Sequence, residues 1–165
     1  MHKIFRNIFT NKQCENLKKF LKTDLSEKIK TNTCAILTRT YLNEKWQYYF
    51  SRLLDSETIE YQNAIYSKIK NYEIVSYRTM HYPPGAMIGR HTDTNMEQDG
   101  ESDTGLIIQL TEPNSYKGGH LRMSNEIIEL NQGDGVLYSY NTPHEVTKIK
   151  TGNRWIASIR MLQKR

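Results

Sequence analysis

The stretch Gly133-Asp134-Gly135-Val136-Leu137-Tyr138-Ser139-Tyr140-Asn141-Thr142-Pro143-His144, and the strand Arg154-Trp155-Ile156-Ala157-Ser158-Ile159-Arg160-Met161 that follows it, decide the reading of this chain. Glycine and aspartate make a turn, and an apolar run from Val136 to Tyr140 makes a strand. Asn141-Thr142-Pro143 breaks it, because proline offers no amide to a ladder. His144 therefore reads as a residue at a rim, just past a strand end. After Thr151-Gly152-Asn153 the last strand alternates: Arg154, Ile156, Ser158 and Arg160 share one face, Trp155, Ala157, Ile159 and Met161 the other. An outer strand would leave the arginine face in water. A strand lining a barrel would bury it, and a buried arginine needs an anion. Both readings stand at this point.

Working outward, the same punctuation runs back to about residue 73. Glu73 to Tyr82 is a strand candidate, stopped by Pro83-Pro84-Gly85. Leu106 to Thr111 is a short strand, Gly118-Gly119 a turn before Leu121-Arg122-Met123, and Glu126 to Leu130 another strand. Many short strands with frequent turns mean a sandwich or barrel. Upstream the pattern is helical. Thr10 and Gln13 have capping-box spacing, and Cys14, Leu17, Phe20 and Leu21 form one stripe. A second helix is expected over residues 57–72, with Tyr61, Ala64, Ile65, Ile69 and Tyr72 on one side. Thr33 to Phe50 allows a strand or irregular packing. The expected organisation is one domain over residues 1–165, with 1–72 a helical support packed on the sheet of 73–165. No repeat or low-complexity linker interrupts it.

The 165 residues suffice for a sizeable core without disulfides or a structural metal. Two cysteines, Cys14 and Cys34, are too few for a disulfide framework and lack zinc-finger spacing, which favours a reduced, cytoplasmic setting. Met1 to Thr10 has no long apolar core, so no signal peptide is expected. No segment reaches the roughly 18 apolar residues of a membrane span. The net charge of +5 lies entirely in residues 1–75, while residues 76–165 balance. That reads as a solvated basic helical face; without a dense basic run, nucleic acid is a weak second reading.

Three residues carry chemistry. In an extended segment, positions i and i+2 point the same way, so His91 and Asp93 can aim at one ion. With five histidines and six aspartates the pattern H-x-D is expected by chance about 0.2 times, so alone it is cheap. With His144 it forms a two-imidazole, one-carboxylate set, the facial triad of non-haem Fe(II) oxygenases, which leaves coordination positions open. Arg154, ten residues past His144, can hold a dicarboxylate by a charge-assisted pair, with Ser158 adding a hydrogen bond. His81 and His120 read as structural or surface residues, and His2 as irrelevant.

Residues 74–165 resemble the catalytic domain of the Fe(II)/2-oxoglutarate-dependent dioxygenases, in the prolyl 4-hydroxylase-like branch with its bacterial PKHD-type hydroxylases. The matching segments are Tyr82-Pro83-Pro84-Gly85 before His91-Thr92-Asp93, then Gly118-Gly119-His120-Leu121, then Gly133 to Tyr138 through Pro143-His144-Glu145-Val146 to Gly152-Asn153-Arg154. The resemblance implies a mainly β, α+β fold: a double-stranded β-helix (jelly roll) flanked by helices. It implies Fe(II) on His91, Asp93 and His144, 2-oxoglutarate on Arg154 with Ser158 and Tyr82 beside it, and O2 as second co-substrate. Ascorbate is the reductant expected of the family. The implied reaction hydroxylates a prolyl residue in a peptide or protein, releasing succinate and CO2. Two positions depart from the family. Gln109 stands where many members have a tyrosine, and can replace a hydroxyl contact to 2-oxoglutarate. Arg160 stands where many have tryptophan, which would admit a more polar substrate. Arg154 and Arg160 also reproduce the R-x5-R spacing of nucleic-acid demethylases. A free amino acid or other small molecule is a further alternative substrate, and a jelly-roll module that binds metal or sugar without turnover is the non-enzyme alternative.

Overall fold

The computed structural model describes residues 1–23, 47–50, 59–94 and 102–164. In chain order, β1 (His2–Phe5), α1 (Asn11–Thr23), β2 (Gln47–Phe50), α2 (Ile59–Lys68), β3 (Tyr72–Tyr82), β4 (Ile88–His91) and β5 (Thr104–Gln109) lead to a 3-10 turn (Pro113–Ser115). Then follow β6 (Lys117–Gly118), β7 (Leu121–Met123), β8 (Glu126–Ile127), β9 (Gly135–Ser139), β10 (His144–Val146), β11 (Ile149–Thr151) and β12 (Arg154–Gln163). A six-stranded antiparallel sheet has the order β1-β9-β5-β12-β3-β2, and a four-stranded one the order β4-β10-β7-β8. This is the jelly roll with flanking helices that the family resemblance implies; the strand and turn pattern alone points to a sandwich or barrel.

Strand β12 sits near the centre of the large sheet and divides the core by its alternation. Trp155, Ala157, Ile159 and Met161 pack with Cys14, Leu17, Tyr61, Ile65 and Ile69 of the helical layer. Ile156, on the opposite face, joins Ile107, Val136 and Tyr138 of the same sheet and Ile88, Leu121, Met123 and Val146 of the smaller sheet. The second cluster is the interior of the jelly roll. Arg154 and Arg160 are buried on its side of β12, so the strand is not a solvated outer one. A bulge between Arg160 and Met161 pairs these with Ser76 and Ile74. It inserts one residue into β3 and lets Ile74 and Tyr77 both face the helices.

The capping box at α1 is formed. Thr10 N–H donates to Gln13 Oε1 at 2.9 Å, and Gln13 N–H to Thr10 Oγ1 at 3.1 Å. Cys14 and Leu17 of its stripe are buried, while the side chains of Phe20 and Leu21 lie outside the described residues. The second helix stops at Lys68 rather than residue 72. Asn71 takes a left-handed φ of 63°, and Tyr72 already opens β3.

The first 72 residues are not helices alone. β1 covers the free edge of β9, pairing His2 with Tyr138 and Phe5 with Gly135, and β2 extends the sheet beyond β3. Unpaired edge backbone recruits these segments whatever their helical surroundings. Of Thr33 to Phe50, only residues 47–50 are described. The expected strand Glu126–Leu130 is paired only at Glu126 and Ile127, although Ile128 and Leu130 still turn into the interior. The turn before β9 is fixed by Asp134, which accepts from Asn7 N–H, Arg6 Nη1 and Asn131 N–H. Gly133 has φ +89°, and a Cβ there would collide with the Phe9 carbonyl oxygen.

Candidate active site

His91 ends β4 and His144 begins β10, and the two are directly paired across the small sheet. His144 lies past the end of β9 as expected, and after the Asn141-Thr142-Pro143 turn the chain re-enters a strand at the histidine itself. Asp93 lies two residues past the end of β4, its N–H donating to Tyr140 O at 2.9 Å. H-x-D therefore converges because the second ligand is tethered to the β9 end, not because a strand continues through both. One ligand atom from each of His91, Asp93 and His144 lies within 4.8 Å of the others. Asp93 Oδ1 is 3.5 Å from His91 Nε2 and 3.8 Å from His144 Nε2.

Neighbouring groups fix how these ligands present themselves. His91 Nδ1 lies 2.8 Å from Gly89 O, and His144 Nδ1 lies 3.0 Å from Thr142 O. A carbonyl oxygen only accepts, so each Nδ1 carries the proton and each Nε2 turns its other valence toward Asp93. The register irregularity between β4 and β10 places its extra residue in β4, between Ile88 and His91, where Gly89 stands. Asp93 Oδ2 accepts from Tyr138 O–H at 2.8 Å, which leaves Oδ1 for the histidine side. Sequence reasoning placed Tyr138 on a strand but gave it no role. Its partner is 45 residues away, and only the fold brings them together.

Electrostatics agree with this geometry. Burial alone would push the Asp93 carboxyl up; the His91 hydrogen bond, the charges of His144 and Arg160 and the Tyr138 hydroxyl outweigh it and hold it down to about 2. Burial also disfavours protonated His91, but its bonds to Asp93 and the Gly89 carbonyl raise its pKa above 6.5. At His144 burial prevails over attraction to Asp93, and its pKa is lowered. The three groups thus hold one carboxylate charge and at most one proton beyond the two on Nδ1, an arrangement suited to a divalent cation.

Arg154 is 2% exposed and lies over the Tyr82 ring at 5.4 Å. Its Nε donates to Gln109 Oε1 at 3.1 Å. Its Nη1 is buried with no hydrogen-bond partner among the described residues. A carboxylate at that nitrogen would satisfy it, so the residues present fit a dicarboxylate. Ser158 is half-buried on the same face of β12. A cavity of about 690 Å³ is lined by Arg154, Gln109, Tyr116, Gly119 and Leu121 among others; none of the three triad residues lines it. Arg160 donates to Tyr140 O–H at 3.2 Å and is near enough to the triad to bias all three titrations. His120 is exposed. His81 stacks on Trp155 at 4.0 Å and meets Asn153 Oδ1, outside the triad.

Residues 77–159 match the family model described as the 2OG-Fe(II) oxygenase superfamily. A PKHD-type hydroxylase of Picosynechococcus sp. is 34% identical over 94 residues, covering 51% of this chain and 43% of the relative. One from Prochlorococcus marinus is 34% identical over 92 residues, covering 50% and 39%. The matches thus span less than half the length of these relatives. Among solved structures, a viral collagen prolyl hydroxylase from Paramecium Bursaria Chlorella virus-1 superposes with a TM-score of 0.70 at 15% identity, covering 97% of this chain and 94% of that one. A Pseudomonas putida prolyl-4-hydroxylase gives 0.66 at 18% identity, covering 99% and 92%. These two likenesses establish the fold.

Proposed function

This chain belongs to the 2OG-Fe(II) oxygenase superfamily, and from that premise we propose that it is an Fe(II)- and 2-oxoglutarate-dependent dioxygenase that hydroxylates a prolyl residue in a peptide or protein. The observation that carries the reading is the convergence of His91, Asp93 and His144 on one point in a fold that also buries Arg154 with an unsatisfied Nη1. When bound, Fe(II) couples decarboxylation of 2-oxoglutarate to succinate and CO2 with insertion of oxygen into a substrate C–H bond. The chain's own work is orientation. His91 and His144 present Nε2, held by the Gly89 and Thr142 carbonyls. Asp93 presents Oδ1 while Tyr138 holds Oδ2. Three ligands on one side leave the opposite side open, and Arg154 anchors the distal carboxylate of the co-substrate. Ascorbate belongs to the reading as a reductant.

The prolyl substrate is supported by the PKHD-type names of the relatives. A second reading, a small substrate bearing its own carboxylate, is favoured by Arg160, a buried cation beside the triad. Purified protein with Fe(II), 2-oxoglutarate and O2 should release succinate, and proline-containing peptides should raise that rate and gain one oxygen atom by mass. If free amino acids are oxidised and peptides are not, the prolyl reading fails.

A further inference from the structure

Gln109 touches three groups, and their chemistry dictates the direction of every bond. Thr111 O only accepts, so the atom 2.9 Å from it is the Gln109 amide nitrogen. Arg154 Nε only donates, so the atom 3.1 Å from it is Gln109 Oε1. The second amide proton then goes to Tyr116 Oη, at 2.9 Å. Tyr116 therefore accepts from Gln109 and keeps its own O–H free to donate; among the described residues it donates to none. Tyr116 and Arg154 line the same cavity. Both border one glycine: a Cβ on Gly119 would stand in ordinary contact, 3.4 Å, with Arg154 Cδ and with Tyr116 Cε2, so the two side chains flank the same point. Two donors, the Tyr116 hydroxyl and Arg154 Nη1, are thus left over on residues that line one cavity with Gly119 between them, and nothing among the described residues accepts from either.

We propose that Tyr116 is a second donor to the distal carboxylate of the co-substrate. Gln109 is a positioning residue that does not touch the ligand; it holds Arg154 and Tyr116 in register. The inference deepens the proposed function and rests on it. It also revises the expectation for Gln109. The glutamine does not replace a hydroxyl contact itself but carries the hydroxyl of Tyr116, seven residues on, to the site. A fixed amide can do this because both its protons and its oxygen are engaged, so it cannot flip without losing three bonds.

The test is calorimetric titration, without oxygen, of the Mn(II)-loaded protein with 2-oxoglutarate and with 2-oxopentanoate, which has the same chain length but no distal carboxylate. Wild type should prefer 2-oxoglutarate. Tyr116→Phe should bind 2-oxoglutarate roughly tenfold or more weakly, the range of a hydrogen bond to a charged group, with 2-oxopentanoate unchanged. Gln109→Glu should show the same selective loss, because its carboxylate would capture Arg154; Tyr116→Phe carries the test alone if that variant fails to fold. Unchanged 2-oxoglutarate affinity in Tyr116→Phe overturns the proposal and leaves the proposed function standing, as does an equal loss for both ligands. A wild type that does not distinguish the two ligands overturns both.

Discussion

At the scale of single residues, the account makes the triad a set of aimed atoms. Asp93→Ala should lose Mn(II) or Fe(II) binding, since two imidazoles alone leave the face incomplete; retained affinity by equilibrium dialysis would contradict it. Tyr138→Phe keeps all three ligands but releases Asp93 Oδ2. It should weaken metal binding about 10- to 100-fold, as losses of such supporting bonds do. The metal must also displace a proton held between His91 and Asp93. Since the His91 pKa is raised above 6.5, metal affinity should climb with pH through the neutral range, and a pH-independent affinity would count against the geometry. Arg154→Ala should raise the 2-oxoglutarate KM by a factor consistent with about 1.5–3 kcal/mol, with metal binding intact. His91, Asp93, His144 and Arg154 were legible because each is a chemically distinctive residue at a readable place. Tyr138 and Tyr116 were not. One is a tyrosine in an apolar strand, the other a loop residue, and each acquires its role only from a partner the fold delivers.

At the scale of elements, β12 is the piece of sequence that organises the rest. Its alternation was readable, and of the two readings left open the buried one is correct: Arg154 and Arg160 face the interior while Trp155, Ala157, Ile159 and Met161 hold the helices. What the pattern did not show was pairing. β1 and β2 are short segments whose strand state depends on an edge supplied by distant residues, so local composition carries little of that signal. The turn ahead of β9 has its own test. Burial pushes the Asp134 carboxyl up, but Asn7 N–H, Arg6 and Asn131 N–H outweigh this and hold it below 3.8. A depressed carboxyl contributes stability that is present above the ordinary value and lost as pH falls through the folded one. Asp134→Asn should therefore be destabilised near neutral pH by about 1–3 kcal/mol, with the gap to wild type closing below pH 3.8. A gap that persists in acid denaturation would mean the turn is held by shape and not by this charge.

At the scale of the molecule, the jelly roll places two histidines from one sheet opposite a tyrosine and two arginines from the other, so ligand binding ties the sheets together. A cation that binds only the folded chain stabilises it by mass action, about 2.7 kcal/mol at a hundredfold excess over Kd. That is roughly 5–10 °C in Tm for a chain of this size, and Asp93→Ala should show no such shift. Among the described residues no helix is long and apolar enough to cross a membrane, and the excess positive charge lies in residues 1–75 of the sequence. The central claim is that His91, Asp93, His144 and Arg154 form one Fe(II)/2-oxoglutarate centre. Its most direct test is oxygen-dependent succinate release, measured side by side in wild type, Asp93→Ala and Arg154→Ala. The account predicts turnover in wild type, none in Asp93→Ala, and recovery in Arg154→Ala only at much higher 2-oxoglutarate. Equal succinate from wild type and Asp93→Ala, or none from metal-loaded wild type, would contradict it.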